Sequence, residues 1–411
     1  MSISTSDPYA MALDAIDVSN PDLYQTDCWR PWFARLRKED PVHWSENSQF
    51  GGFWSITRFE DIVTVDKSHD DFSSEPAITI GDYGNDLPVR QFIAMDPPLH
   101  DIQRKAVQGV VAPRNLADLE TIIRSRVATM LDELPIGEPF NWVDRVSVNL
   151  TTQMLATIFD FPFEDRYKLP YWSDMATSLP EIAGGDGNND ERTRALTECL
   201  ETFTTLWHQR KDNPPGTMDL ISMLATNPET AAMVDDPLEY LGNLILLIVG
   251  GNDTTRNSIT GGVVALNQNP EQFSLLKANP HLVNSMVPEI IRWQTPLMHM
   301  RRIATRDVVL GGKTIRKGEK VVMWYLSGNH DETAIDDPNT FNITRDNPRY
   351  HLSFGFGIHR CMGNRLGEMQ LRILWEEILK RFSDVEMVAE PQRIQSNFVR
   401  GYSDLSVVLH R

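Results

Sequence analysis

The stretch His351-Leu-Ser-Phe354-Gly355-Phe356-Gly357-Ile358-His359-Arg360-Cys361-Met362-Gly363 decides how this chain is read. It is a glycine-rich loop carrying one cysteine. The segment from about Met362 to Phe382 follows, with apolar residues at Leu366, Met369, Ile373, Leu374 and Ile378 and no proline before Pro391. That spacing predicts a helix. Cys361 then stands at a helix N-terminus, where the dipole and free backbone N–H groups favour a thiolate. The glycines let backbone approach closely on the other side.

Three chemistries compete for such a thiolate. A zinc site needs three or four ligands at recognisable spacing, and His359-x-Cys361 has no partner pair. A cysteine protease needs a base, and the spacing of His359 to Cys361 matches no such pair. A lone thiolate cradled by glycines suits the axial ligand of a haem iron, with His359 in reach of a propionate.

No proline separates Pro237 from Pro270, and the interval reads as one long helix. Adjacent glycines inside a helix cost roughly 1 kcal/mol each relative to alanine. Gly250-Gly251 therefore calls for a group packed on the helix face, a local bulge, or a close helix–helix crossing. A second helix is predicted around Leu196, Leu200, Phe203 and Trp207, with Cys199 beside its stripe as a small hydrophobe. Towards the N-terminus, Phe53–Thr57 is strand-like, Arg58–Val63 opens a helix, and Ala77–Leu87 is a loop. The tract Gly184–Asp190 is a flexible loop, either a lid hinge or an ordinary surface turn.

The motif Phe-Gly-x-Gly-x-His-x-Cys-x-Gly is matched in full from Phe354 to Gly363. On it the chain resembles the cytochrome P-450 haem-thiolate monooxygenases. Three further stretches stand in that family's order. Asp96-Pro-Pro-Leu-His100-Asp-Ile-Gln-Arg104 resembles the helix whose His and Arg hold propionates. Gly250-Gly-Asn-Asp253-Thr254 resembles the oxygen-activating turn. Glu289-Ile-Ile-Arg292 resembles the Glu-x-x-Arg pair, which joins a downstream loop, here near Asn347–Arg349; by spacing alone it is a surface i,i+3 pair. Arg302 resembles the remaining propionate clamp, with Arg301 beside it as the alternative. More narrowly, Ile248–Ile259, Phe92–Pro98, Leu371–Leu379 and Asn397–Gly401 are similar to the bacterial terminal alkane hydroxylases of that superfamily. Met362 and Gly367 depart from the expected Val and Ala.

The resemblance implies one mainly helical domain over residues 1–411, with small sheets and haem b between the long helix and the cysteine helix. It implies Cys361 as iron ligand, and His100, Arg104, Arg302 and His359 on the propionates. Phe354, Gly355 and Gly363 shape the thiolate side. Thr254 would hydrogen-bond dioxygen and Asp253 would relay protons, unless each is an ordinary helix residue. Substrate contacts are expected from Leu246, Val249, Gly250, Leu297, Met298 and Phe398, and less from Met95 and the Ile78–Leu87 loop. The implied reaction is terminal hydroxylation of medium-chain alkanes or fatty acids. Another apolar substrate, a terpene or aromatic, is the alternative; a haem-thiolate sensor is a third reading, and a peroxide-driven peroxygenase a fourth. The chain has no GxGxxG fingerprint, so electrons from NAD(P)H would arrive through a ferredoxin and its reductase. Arg360, Arg365 and Arg372 are candidates for a docking patch, or only a solvated face.

Composition sets outer limits. The 411 residues are 41% hydrophobic and 23% charged, which excludes a disordered or fibrous chain. Thirty-nine Lys+Arg against 57 Asp+Glu leave a formal charge of −18, unsuited to a general nucleic-acid or anionic-membrane binder. Cys28, Cys199 and Cys361 form no disulfide framework, so a reducing, cytoplasmic setting is expected. No signal, transit or membrane segment is expected.

Overall fold

The computed structural model describes residues 7–82, 89–177, 188–212 and 219–411. Tyr83–Leu87 of the expected loop, and Gly184–Gly187 of the glycine tract, lie outside these residues. The helices that position the site are α1 (Phe59–Lys67), α2 (Leu99–Val107), α3 (Pro113–Asp132), α4 (Asn149–Phe159), α5 (Lys168–Thr177), α6 (Asn189–Asp212), α7 (Pro237–Gln268), α8 (Val283–Gln294) and α9 (Asn364–Arg381). The fold is mainly helical with small sheets, as expected.

Helix α7 is the spine. It starts where Asp236 accepts a hydrogen bond from the Glu239 N–H at 3.2 Å and Pro237 occupies the first turn. It runs unbroken through Gly250-Gly251, so no bulge relieves the glycines. Its N-terminal half packs Tyr240, Leu244 and Ile248 into a core with α5 and α6, where Cys199, Phe203 and Trp207 are also buried. Its C-terminal half sends Ile259, Val263 and Val264 into a second core with α3, α8 and α9. Two cores, one on each half, explain why the helix is apolar along most of its length.

The main sheet has five strands: β1 (Val42–Ser45), β2 (Phe53–Ile56), β3 (Phe72–Ser73), β4 (Met300–Ala304) and β5 (Lys320–Met323). Their spatial order is β1-β2-β5-β4-β3, and only β2 and β5 run parallel. Alternation along β4 decides the site. Met300 and Arg302 face an internal cavity. Arg301, between them, points the other way and grips the 78–82 segment.

Candidate active site

Glycine geometry folds the cysteine loop. Gly355 and Gly357 take φ of +62° and +64°, in the left-handed region that side chains disfavour. A Cβ on Gly357 would lie 2.5 Å from the Asp66 carbonyl oxygen. The Cys361 N–H donates to the Phe354 carbonyl at 2.7 Å, closing the loop. Helix α9 begins three residues past the cysteine, and the Gly363 and Asn364 N–H groups favour the Cys361 thiolate. Burial pushes the thiol up more strongly, while Arg104 and Arg360 pull it down. The sulfur is enclosed by protein, yet its residue retains accessible surface, because it opens into the cavity.

That cavity, about 270 Å³, lies between the cysteine loop and α7. Leu246, Val249, Gly250, Leu297 and Phe398 line it, as do Ile78, Phe92, Ile93, Ile245 and Met300. A larger groove of about 620 Å³ between α3 and Glu377 is open and edged by ion pairs, far from this chemistry. The two glycines of α7 have different reasons. A Cβ on Gly250 would meet nothing within 4 Å, so this residue borders open space. One on Gly251 would stand 2.7 Å from the Leu155 side chain of α4, a close helix crossing.

Thr254 faces the cavity, its hydroxyl donating to the Gly250 carbonyl at 2.8 Å. Asp253 is fully buried on the other face of α7. Its Oδ1 accepts from Arg256 at 2.9 Å and Asn252 at 3.1 Å, and Arg256 also pairs with Asp174 of α5. Burial raises the Asp253 carboxyl to about 6; Arg256 opposes this and Asp174 adds to it.

The cationic side of the cavity gathers four residues from three elements: α2, β4 and the cysteine loop. Arg104 and Arg302 line it, and His359 joins them. His100 packs against His359, ring centroids 4.3 Å apart. His100 Nδ1 meets Asp101 and His359 Nε2 meets Ser74 Oγ at 2.8 Å, which leaves His100 Nε2 and His359 Nδ1 buried without a protein partner. Burial, then Arg302, pushes His359 down to about 2. An acidic group with several acceptor oxygens satisfies these atoms, as a pair of haem propionates would. A soft thiolate on one side and a cationic rim on another fit haem.

The Cytochrome P450 family model matches residues 112–403. The chain is a cytochrome P450. It is 35% identical to linalool 8-monooxygenase of Pseudomonas putida, over 96% of this chain and 98% of that protein. It is 32% identical to a methyl-branched lipid omega-hydroxylase of Mycobacterium bovis, covering 91% and 90%. Among solved structures, it superposes on CYP153D17 from Sphingomonas sp. PAMC 26605 with TM-score 0.90 and 44% identity, covering 97% and 100%. Cytochrome P450-153 from Novosphingobium aromaticivorans gives TM-score 0.89 and 42% identity, covering 98% and 100%. The cofactor of this P450 is therefore haem b, with O₂ as co-substrate and electrons from NAD(P)H delivered by partners.

The structure corrects several sequence expectations for this P450. Met95 packs into the α5–α6 core, and its neighbours Phe92 and Ile93 reach the cavity instead. Met298 is fully buried in a different core, behind Leu297. Of the described part of the 78–87 loop, Ile78 reaches the cavity. Arg302, not Arg301, faces the cavity, because strand alternation separates them. Glu289 and Arg292 form no surface pair: both are fully buried, bonded at 2.8 Å. Their loop is Pro338–Arg345 rather than Asn347–Arg349. Arg292 donates to the Asn329 and Pro338 carbonyls, Glu289 accepts from the Asn342 N–H and Arg345, and Arg349 pairs with Glu368. Arg372 is spent on Glu120 and Glu376, leaving Arg360 and Arg365 exposed from the expected docking set.

Sequence reasoning passed over His299. Its Nε2 accepts from the Ile80 N–H at 3.0 Å and its Nδ1 donates to the Asn397 carbonyl at 3.0 Å. It thereby joins three segments that supply cavity walls: Ile78, β4 and Phe398. A lone histidine beside a strand gives no pattern that marks this.

No described helix is long and apolar enough to cross a membrane.

Proposed function

We propose that this P450 is a ferredoxin-dependent hydroxylase of the terminal methyl of medium-chain alkanes or fatty acids, working as one cytoplasmic domain. The observation that carries the reading is the polarity of the cavity. Its wall from α7, Leu297 and Phe398 is apolar, while Arg104, Arg302 and His359 sit together on the cysteine side. An uncharged chain end gains from such a wall at about 25 cal/mol per Å² buried. The omega position named in the methyl-branched lipid omega-hydroxylase relative, and the similarity of Ile248–Ile259 to terminal alkane hydroxylases, support the same class.

The overall reaction converts R–H, O₂, two electrons and two protons to R–OH and water. Bound haem supplies the oxygen activation, with Cys361 as its thiolate ligand. His100, Arg104, Arg302 and His359 would hold the propionates. Leu246, Val249, Leu297 and Phe398 bind and aim the chain end, and Gly250 leaves it room. Terminal attack, against a stronger C–H bond, is then a matter of positioning. The Thr254 hydroxyl is already committed to the Gly250 carbonyl, so its lone pairs face the cavity and accept a proton donor there. Asp253, raised by burial to about 6, can both take and release a proton near neutral pH; it faces α5, so it takes protons from the Asp174 side and passes them along α7. Arg360 and Arg365 offer an acidic ferredoxin a basic contact.

The test is a titration of the haem spin state across alkanes and fatty acids of graded length, with linalool and aromatic compounds as controls, followed by product analysis. A linear-chain optimum with 1-alcohol products supports the proposal. A response to ring or terpene compounds alone refutes the substrate class and favours the reading suggested by the linalool 8-monooxygenase relative.

A further inference from the structure

Asp66 is a carboxylate in an unexpected place. It lies in the last turn of α1, where the helix dipole disfavours negative charge. It is also buried, with 2% of its surface exposed. A buried carboxylate persists only if its partners compensate it. Here they come from three separate elements. Arg302 of β4 donates Nη2 to Oδ1 at 2.8 Å. The Tyr325 hydroxyl donates to Oδ2 at 2.8 Å. The Phe356 N–H, inside the cysteine loop, donates to Oδ2 at 2.7 Å.

The loop is shaped to reach it. A Cβ on Gly355 would lie 3.1 Å from Oδ2 and 3.2 Å from the Tyr325 hydroxyl, and one on Gly357 would strike the Asp66 backbone. Both glycines of the motif are thus packed closely against α1. One carboxylate therefore touches the loop that presents Cys361 and the arginine that lines the cavity.

We propose that Asp66 is a positioning residue for the haem: it fixes the cysteine loop and Arg302 in register, and offsets part of the Arg302 charge at the haem edge. This rests on the assignment of Cys361 and Arg302 to haem. Asn at position 66 keeps the shape but loses the charge. Its amide has one acceptor oxygen, so either Arg302 or the Tyr325–Phe356 pair would face an N–H.

The test measures the ferric–ferrous midpoint potential and the rate of haem transfer to an apo-globin acceptor, for the wild type, Asp66→Asn, Asp66→Glu and Tyr325→Phe. The Asp66 carboxylate stabilises the ferric state, which carries one more positive charge than the ferrous, so Asp66→Asn should favour reduction and move the midpoint positive. Losing a hydrogen bond between charged groups should speed haem loss about tenfold. Tyr325→Phe removes a donor but no charge, and should leave the potential in place. Asp66→Glu keeps the charge on a longer arm, so it should hold the potential and lose haem faster. Wild-type potential and transfer rate in Asp66→Asn overturn the proposal, as does an equal potential shift in Tyr325→Phe. Should Asp66→Asn fail to fold, Asp66→Glu decides: faster haem loss at unchanged potential supports the strut, and wild-type haem loss overturns it. A wild type without the thiolate signature in its reduced carbonyl spectrum would instead remove the Cys361 assignment beneath it.

Discussion

Acidification tests the role of His299 in holding the cavity wall. The imidazole is fully buried between Trp324 and Phe398, ring centroids 4.9 and 5.3 Å away. Burial, with the nearby Arg301 charge, pushes it down to about 3, against an ordinary 6.5. Its Nε2 must stay unprotonated to accept from Ile80. The sign follows from linkage. A histidine whose folded pKa is depressed contributes stability fully present above about 6.5 and lost as pH falls towards about 3. Each pH unit in that window costs about 1.4 kcal/mol. From pH 6.5 to 5, His299 alone therefore costs about 2 kcal/mol. His351, also pushed down to about 3 by burial, adds a similar slope and remains in any His299 variant. In His299→Gln, the carboxamide can accept from Ile80 and donate to Asn397 but cannot titrate. Urea unfolding between pH 7 and 5 should show the wild type losing about 2 kcal/mol more than this variant. Substrate-induced spin shifts should weaken with acid in the wild type and less in the variant. Parallel stability curves would refute the reasoning.

Thr254→Ala should divert electrons from product to peroxide, checked by the ratio of product formed to NADH consumed; unchanged coupling would deny its place in proton delivery. Asp253→Asn should slow product formation about 100-fold and remove any rate change near pH 6, measured as a pH profile. Gly251→Ala should destabilise by about 1–3 kcal/mol through the clash with Leu155. Gly250→Ala should be neutral or slightly stabilising in thermal melts, yet shift the chain-length optimum, because its Cβ enters open space. Glu289→Ala, which strands the buried Arg292, should cost about 3–5 kcal/mol, read by denaturant unfolding.

The sequence by itself determined the chemistry of this protein. The loop Phe354–Gly363 allows one metal-binding outcome because its residue types and spacing suit a lone thiolate with backbone pressed against it. The helix bounds around α7 and α9 were equally legible, since proline positions and apolar spacing are local signals. Tertiary structure alone decided which face each residue serves. Adjacent residues on a strand or helix diverge, so Arg302 meets the cavity while Arg301 grips a loop, and Thr254 faces the cavity while Asp253 faces α5. Leu297 and Met298 part for the same reason. The Pro338–Arg345 partner of Glu289, the His299 clasp and the Asp66 strut join residues far apart in the chain. Their donors and acceptors have no spacing rule, because the distance that matters is set by packing of separate elements.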